Sequence, residues 1–445
     1  MFRMSREDVL TPERLAYFIN LNKEENRKRF DKFIKLYQAK NPIFRQENKP
    51  AYKPDNRIAV NFAKYIVDTF NGFFIGNPIK TTCSDSVVAE KVEFIEKMND
   101  QDDNNAELAK MMSVYGRAFE MYFVTHEKEI GITYVSPQEA FIIYDEGIVE
   151  EPLYFVHYYT NEDGEEVGSV SDATCLWYFS RSGEQDFYTF EGPTVHNFDG
   201  VPASEFIENE ERMSIFESVI SLMEAYDKAL SEKANDVDYF ADAYLKVLGA
   251  KLEKEDLKDL RNQRIINLEG VTDADLDVEF LAKPNADATQ ENFLDKLERL
   301  IYTISMVPNV NDETFGTSSG IAMKYKLFNT MNLFKVKQRK FTSGMNRRWK
   351  LIFTHPIVNV EKSAWTKLEY QFTPNIPANV LEEAQTVSQL TNIVSQATQL
   401  KYLSIVDNVQ NEMEEIEKEK ENESLLGLDD FEAGIHEDLG EDIDE

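Results

Sequence analysis

The chain is 445 residues long, 42% hydrophobic and 29% charged, with a formal net charge of −33 and two cysteines. That length and hydrophobic content suit several domains or one extended subunit with a buried core, and they exclude wholesale disorder. The acidic balance excludes a surface that as a whole seeks nucleic acid or an anionic membrane.

Cys83 and Cys175 form neither a CxxC pair nor a disulfide framework, which suits a reducing cytosol. The N-terminal MFRMSREDVLTPERL has no apolar signal core, and no window of eighteen apolar residues occurs, so no membrane span is expected.

Residues 12–38 read as a polar helix capped by Thr11, with Pro12 at its first position. A Pro- and Asn-rich connector spans 39–55. In NRIAVNFAKYIVDTFNGFFIGNPI, Ile58, Phe62, Ile66 and Phe70 recur every four residues, one apolar helix face. Gly72 and the GNP at 76–78 are expected to stop that helix. A further helix is expected over 103–115, ended by Gly116. From 117 to 198 the runs AFEMYFV, ITYVS, FIIYD, LYFVHYY, CLWYFS and DFYTF predict an antiparallel sheet region.

A long helix is expected from Glu211 to Gly249, with Ile215, Val219, Leu222, Tyr226, Leu230, Val237, Phe240, Tyr244 and Val247 in three- and four-residue steps. Unbroken, it would be a rod of roughly 50 Å. Its other faces carry Glu217, Glu224, Asp227, Glu232, Asp236, Asp238 and Asp242. One reading packs this rod in a core. The other makes its acidic face a channel wall that repels a duplex and lets it slide.

Residues 250–289 read as a small charged insert, a short helix followed by two strands. A helix from about Glu291 to Met306 follows, with Phe293, Leu297, Leu300 and Ile304 expected on its apolar face and Pro308 at its end. Next comes the polar loop NDETFGTSSG, then a helix from about Gly320. Across Thr314–Val360 there is no Asp or Glu but nine Lys or Arg. Lys326, Lys337 and Arg348 are eleven apart and share nearly one face, and Lys324 and Lys335 share another. A solvated helix, phosphate contact and pairing with acidic neighbours are all compatible with that pattern. An extended piece at LEYQF and helices over 375–411 complete the ordered part. Glu412–Glu445 holds sixteen acidic residues against two Lys and is expected to be disordered.

Chemistry-bearing motifs are absent. His126, His157, His196, His355 and His436 have no ligand spacing, so no metal site, catalytic residue or cofactor is expected. GTSSGIAMK at 316–324 fails as a phosphate-binding P-loop, since no Lys-Ser/Thr pair follows Gly320 and a helix, not a strand, precedes it. Ser318 or Ser319 is the expected cap of the following helix.

The blocks NRIAVNFAKYIVDTFNGFFIGNPI, YGRAFEMYFV, FIIYD, ANDVDYFADAYLKVLG, NDETFGTSSGIAMKYKLF and KQRKFTSGMNRRWKL, in this order, resemble the portal proteins of long-tailed phages of Gram-positive bacteria. The likeness covers roughly residues 50–355; the remainder matches in character only. It implies an α+β, mainly helical subunit of a ring, typically of twelve copies, at one capsid vertex of the virion, made in the host bacterial cytoplasm. It implies a wing (1–210, β-rich over 117–198), a first long helix (211–249) running into a two-helix stem, and an α/β clip (250–290). A second stem helix (291–307), a tunnel loop (308–320), a wing helix with return strand (321–374), a short helical crown (375–411) and the acidic tail (412–445) follow.

By that resemblance, Asn309, Asn311, Asp312, Glu313, Thr314, Phe315, Thr317, Ser318 and Ser319 would line the DNA channel. Lys324, Lys326, Lys335, Lys337 and Arg348 would lie behind them, near the channel. The clip, with Lys254, Lys258, Arg261, Arg264 and Asp275, would dock the terminase large subunit and then head-completion or connector proteins. Double-stranded DNA, passing non-specifically, and the major capsid and scaffolding proteins are the remaining implied partners. ATP hydrolysis would belong to the terminase. Another virion ring or scaffold protein, or a cytosolic enzyme with a sheet domain, are the alternatives.

Overall fold

The computed structural model describes residues 1–50, 53–182, 187–241, 245–248, 277–280, 287–310, 323, 325–376, 380–403, 405–406, 409–410 and 412–420. Internal packing divides the chain into residues 1–311 with 327–375, and residues 312–326 with 376–445.

In the first unit, Thr11 caps α1 (Pro12–Leu21) by accepting the Arg14 N–H at 3.3 Å, with Pro12 in the first turn, where a missing N–H removes no helix bond. The chain continues through a π-helical turn (Asn22–Arg27) into α2 (Lys28–Tyr37). Asn22 is buried there, and its amide donates to the Tyr158 hydroxyl at 3.0 Å. Then α3 runs Phe62–Ile75, capped by Asn61 accepting the Lys64 N–H. It starts later than the four-residue spacing suggested: Ile58 precedes the cap and is 39% exposed. Gly72 lies within the helix, and Gly76 is its C-cap. Helices α4 (Ser86–Met98) and α5 (Gln101–Tyr115) follow, and α4 is an addition to the expected elements. Gly116 ends α5 at φ +83°, where a Cβ would fall 2.1 Å from the Arg212 carbonyl oxygen.

The strands are β1 (Phe2–Met4), β2 (Lys80–Cys83), β3 (Arg117–Val124), β4 (Ile130–Val135), β5 (Ala140–Asp145), β6 (Pro152–Thr160), β7 (Glu166–Ser171), β8 (Cys175–Arg181), β9 (Thr189–Phe190), β10 (Thr194–Val195) and β11 (Ala203–Ile207). A seven-stranded sheet runs β1-β5-β6-β7-β8-β10 with β9 also on β8, and a three-stranded sheet runs β11-β3-β4. The pairing is antiparallel, as the sequence predicted, except that β1 joins β5 in parallel. Every residue of β5 is buried because the strand feeds two cores. Phe141 and Ile143 point to the side packed by Leu15, Phe18 and Ile19 of α1. Ile142 and Tyr144 point to the other side, against Phe119, Val135 and Ala203 of the smaller sheet.

Helix α6 spans Ile220–Ala241, 22 residues, entered through a 3₁₀ turn at Glu217–Val219. The expected rod to Gly249 is therefore corrected. Leu245–Leu248 is strand β12, paired antiparallel with β13 (Asp277–Phe280). In LKVL the alternation of Leu245 and Val247 fits a strand as well as the helical step from Tyr244 to Val247 fits a helix, and the pairing strand decides. Helix α7 spans Asp287–Ser305 and packs on α6. Its buried apolar positions are Leu294, Leu297 and Ile301; Phe293 and Ile304, expected inside, are 50% and 45% exposed. Helix α8 spans Phe328–Ile352. The expected return strand is β14 (Leu368–Gln371), paired with β2.

In the second unit, α9 (Val380–Leu390) and α10 (Gln396–Tyr402) are two separate helices in the helical stretch expected after residue 375. Ser395 caps α10, and the Gln399 amide donates to the Leu390 carbonyl. Residues 412–420 are helical, which corrects the expectation of disorder from 412 onward; residues 421–445 lie outside the described residues.

Candidate functional site

Helices α6 and α7 form a two-helix arm. Lys233 pairs with Glu291, and the Gln290 amide donates to Asp236 at 3.1 Å. At the base of the arm four rings meet edge to face: Phe62 with Tyr226 (centroids 5.0 Å), Phe62 with Tyr302 (5.9 Å) and Tyr65 with Tyr302 (5.6 Å). These contacts tie α3 to both arm helices with the tilted ring geometry that aromatic quadrupoles favour. Burial, with Tyr65 and Glu298 nearby, pushes the Tyr302 phenol well above its ordinary pKa.

The chain leaves α7 through Met306 at φ +59°, a left-handed residue that turns it sharply before Val307, which is fully buried. Thr330 Oγ1 of α8 donates to the Met306 carbonyl at 2.8 Å. The Tyr65 hydroxyl donates to the Pro308 carbonyl at 3.2 Å and accepts the Val310 N–H at 2.9 Å. Asn309, expected to line a channel, donates to Glu298 of α7 at 3.2 Å. So 306–310 is a fixed root. Asn311, Asp312, Glu313, Thr314, Phe315, Thr317, Ser318, Ser319 and Lys324 lie outside the described residues, as do Lys254, Lys258, Arg261, Arg264 and Asp275.

The acidic side of α6 and the turn before it is not a bare wall. Glu217 pairs with Arg29, Glu224 with Lys32 at 3.0 Å, and Glu232 with Lys49 at 2.8 Å. Asp238 accepts from Asn56. Asp227 is 2% exposed and accepts the Asn41 amide at 2.6 Å and the Val60 N–H at 2.9 Å, and burial raises its pKa. These carboxylates hold residues 29–60 onto the arm.

Helix α8 divides its cations. Lys337 and Arg348, expected near a channel, are 1% and 0% exposed inside the subunit, which corrects any direct phosphate contact by them. Lys337 Nζ lies 2.8 Å from Glu208, donates to Ser113 Oγ and the Ala109 carbonyl, and sits over the rings of Phe70 and Phe74. Burial lowers its pKa against the pull of Glu208. Arg348 makes a two-pronged bond to Glu120 at 2.7 and 2.8 Å and a third to Asn105. Burial alone would lower the Arg348 pKa; Glu120 overcomes it, and the net shift is upward. The eleven-residue spacing thus marks the face that also buries Phe334, Phe341, Met345 and Trp349. Lys340 pairs with Glu210, and Lys335 is exposed, as is Lys326 just before the helix.

Sequence reasoning missed Tyr65, Tyr302 and Thr330, which fix the root. Their signal was faint: Tyr65 and Tyr302 are aromatic residues of α3 and α7 also readable as plain core, and Thr330 is one hydroxyl residue in α8. A cleft of about 1260 Å³ lies between the sheets, bordered by Phe123, Tyr159, Tyr178, His157, His196 and His355, and burial lowers the pKa of all three imidazoles. Among the described residues no cluster of three metal-type side chains occurs, and no helix is long and apolar enough to cross a membrane.

The family model described as phage portal protein, SPP1 Gp6-like, matches residues 17–425. That is more of the chain than the sequence blocks alone suggested. A relative named portal protein, from Clostridium phage phiCD119, is 23% identical over 432 residues, covering 89% of this chain and 93% of the relative.

Proposed function

This chain belongs to the SPP1 Gp6-like phage portal family, and we propose that copies of it close into a ring at one capsid vertex through which double-stranded DNA enters and leaves. The number of copies is about twelve, by the family resemblance. The observation that carries the reading is the two-helix arm with a pinned root. In chain order, residues 311–322 lie between that root, held by Tyr65, and α8. We assign Asp312, Glu313 and Phe315 to the channel surface and residues 250–290 to the docking face for terminase and, later, connector proteins. Residues 375–411 correspond to the crown. Capsid proteins surround the ring at its vertex, and scaffolding proteins are partners during assembly. The subunit supplies positioning rather than catalysis, with nucleotide hydrolysis left to the terminase.

Electron microscopy of the purified full chain, viewed end-on, tests this. Rings of about a dozen subunits with a central hole that admits a duplex are expected. Monomers at every concentration, with and without scaffolding protein, would overturn it.

A further inference from the structure

We propose that Tyr65 is a positioning residue whose hydroxyl fixes the backbone at Pro308 and Val310, the root from which the chain runs on into residues 311–322. The inference rests on the channel reading for its consequence, but not for its geometry.

Tyr65 reaches the root from α3, about 245 positions earlier in sequence, and uses both hydrogen-bonding capacities of one hydroxyl on it. It donates to the Pro308 carbonyl and accepts from the Val310 amide, so it clamps the backbone on both sides of Asn309. Proline supplies no donor at 308, so the Pro308 carbonyl and the Val310 amide are the root's backbone handles on either side. The clamp is itself held. Its ring meets Tyr302 at 5.6 Å, and Tyr302 meets Phe62 at 5.9 Å. A separate bond from Thr330 fixes Met306 to α8. The root is therefore tied to α3, α7 and α8 within five residues: Met306 to α8, Pro308 and Val310 to α3, Asn309 to α7 through Glu298. A root so fixed transmits the position of α3 to the segment beyond it. Losing the hydroxyl would leave the packing intact and free only the exit point.

Tyr65→Phe keeps the ring contact and removes both bonds. Tyr302→Phe is the control, since it keeps its ring contacts and leaves the clamp untouched. Amide hydrogen exchange at Val310 is measured on the purified full-length protein, beside thermal unfolding and the DNA packaged per particle. We expect Tyr65→Phe to speed exchange at Val310 by roughly two- to tenfold, to leave the unfolding midpoint within a few degrees of the wild type, and to reduce packaged DNA. The control should leave Val310 exchange, the unfolding midpoint and packaged DNA as in the wild type. Unchanged Val310 exchange would overturn the clamp itself. Faster exchange with normal packaging, while alanine at Asp312, Glu313 and Phe315 impairs packaging, would overturn the positioning role and leave the channel reading standing. Normal packaging with Tyr65→Phe and also with alanine at Asp312, Glu313 and Phe315 would overturn the channel reading, and the functional half of this proposal with it.

Discussion

Lys337 and Arg348 show how a charge run can belong to a core. A buried cation is stable only when its desolvation is offset by close, well-directed partners. Lys337 has a carboxylate, a hydroxyl, a carbonyl and two ring faces. Lys337→Met keeps most of the volume but strands Glu208 in the interior. We expect a loss of about 3 kcal/mol by chemical denaturation, and Lys337→Met with Glu208→Gln should recover part of it. A single variant as stable as the wild type would show that the pair contributes nothing. The run free of acids was legible in the sequence, and so was the shared face. The partners were not, because Glu120 and Glu208 lie more than a hundred residues away, on and just beyond strands whose register the sequence does not give.

Glu205 carries the clearest pH dependence. Burial would raise its pKa, but Arg117 and Arg212 outweigh this and hold it below the usual carboxylate value. A carboxylate with a depressed folded pKa adds stability that is present above its unfolded pKa and lost as pH falls through the folded value. Thermal unfolding across the acid range should therefore show the wild type losing its advantage over Glu205→Gln as pH drops below the usual Glu range. A constant gap at every pH would mean that Glu205 does not titrate with folding.

At the scale of elements, α8 lies against β11 closely enough to need a glycine. A Cβ on Gly344 would fall 2.4 to 2.8 Å from ring atoms of Phe206, itself fully buried and unable to swing aside freely. Gly344→Ala should cost about 1–3 kcal/mol, read as a lowered unfolding midpoint, even though alanine favours helices. A raised midpoint would mean that the ring yields. Strands with aromatic and β-branched runs, β3, β5, β6 and β8, were legible from composition. Strand β7, EVGSVS, was not: it is polar and carries Gly168, and it is a strand because β6 and β8 pair with both of its edges. Helix α4 escaped for a related reason, since its core face is only Val88, Val92 and Ile95. The end of α6 was misread because apolar residues at 244–248 satisfy both periods.

At the scale of the whole molecule the question is where the charge of −33 acts. Arg29, Lys32 and Lys49 pair within the subunit with Glu217 of the turn before α6 and with Glu224 and Glu232 of the helix, which neutralises part of its acidic face. Residues 421–445 contain eleven acidic residues and no Lys or Arg, a third of the net charge in 25 positions. Copies brought together in a ring repel one another through whatever charge stays unpaired, and salt screens that repulsion over a Debye length of about 10 Å at 0.1 M. We therefore expect the fraction of protein in rings, measured by sedimentation at fixed concentration, to rise as salt is raised from low to moderate ionic strength. A chain ending at Lys420 should still form rings and should show a shallower salt dependence, because the repulsion it removes is the most concentrated. If rings instead fall apart as salt rises, attractive charge pairs between copies outweigh net repulsion, and the exposed Lys335 and the other surface cations of α8 become the first residues to reverse. If truncation abolishes rings at every salt concentration, the acidic end is part of the assembly rather than a brake on it.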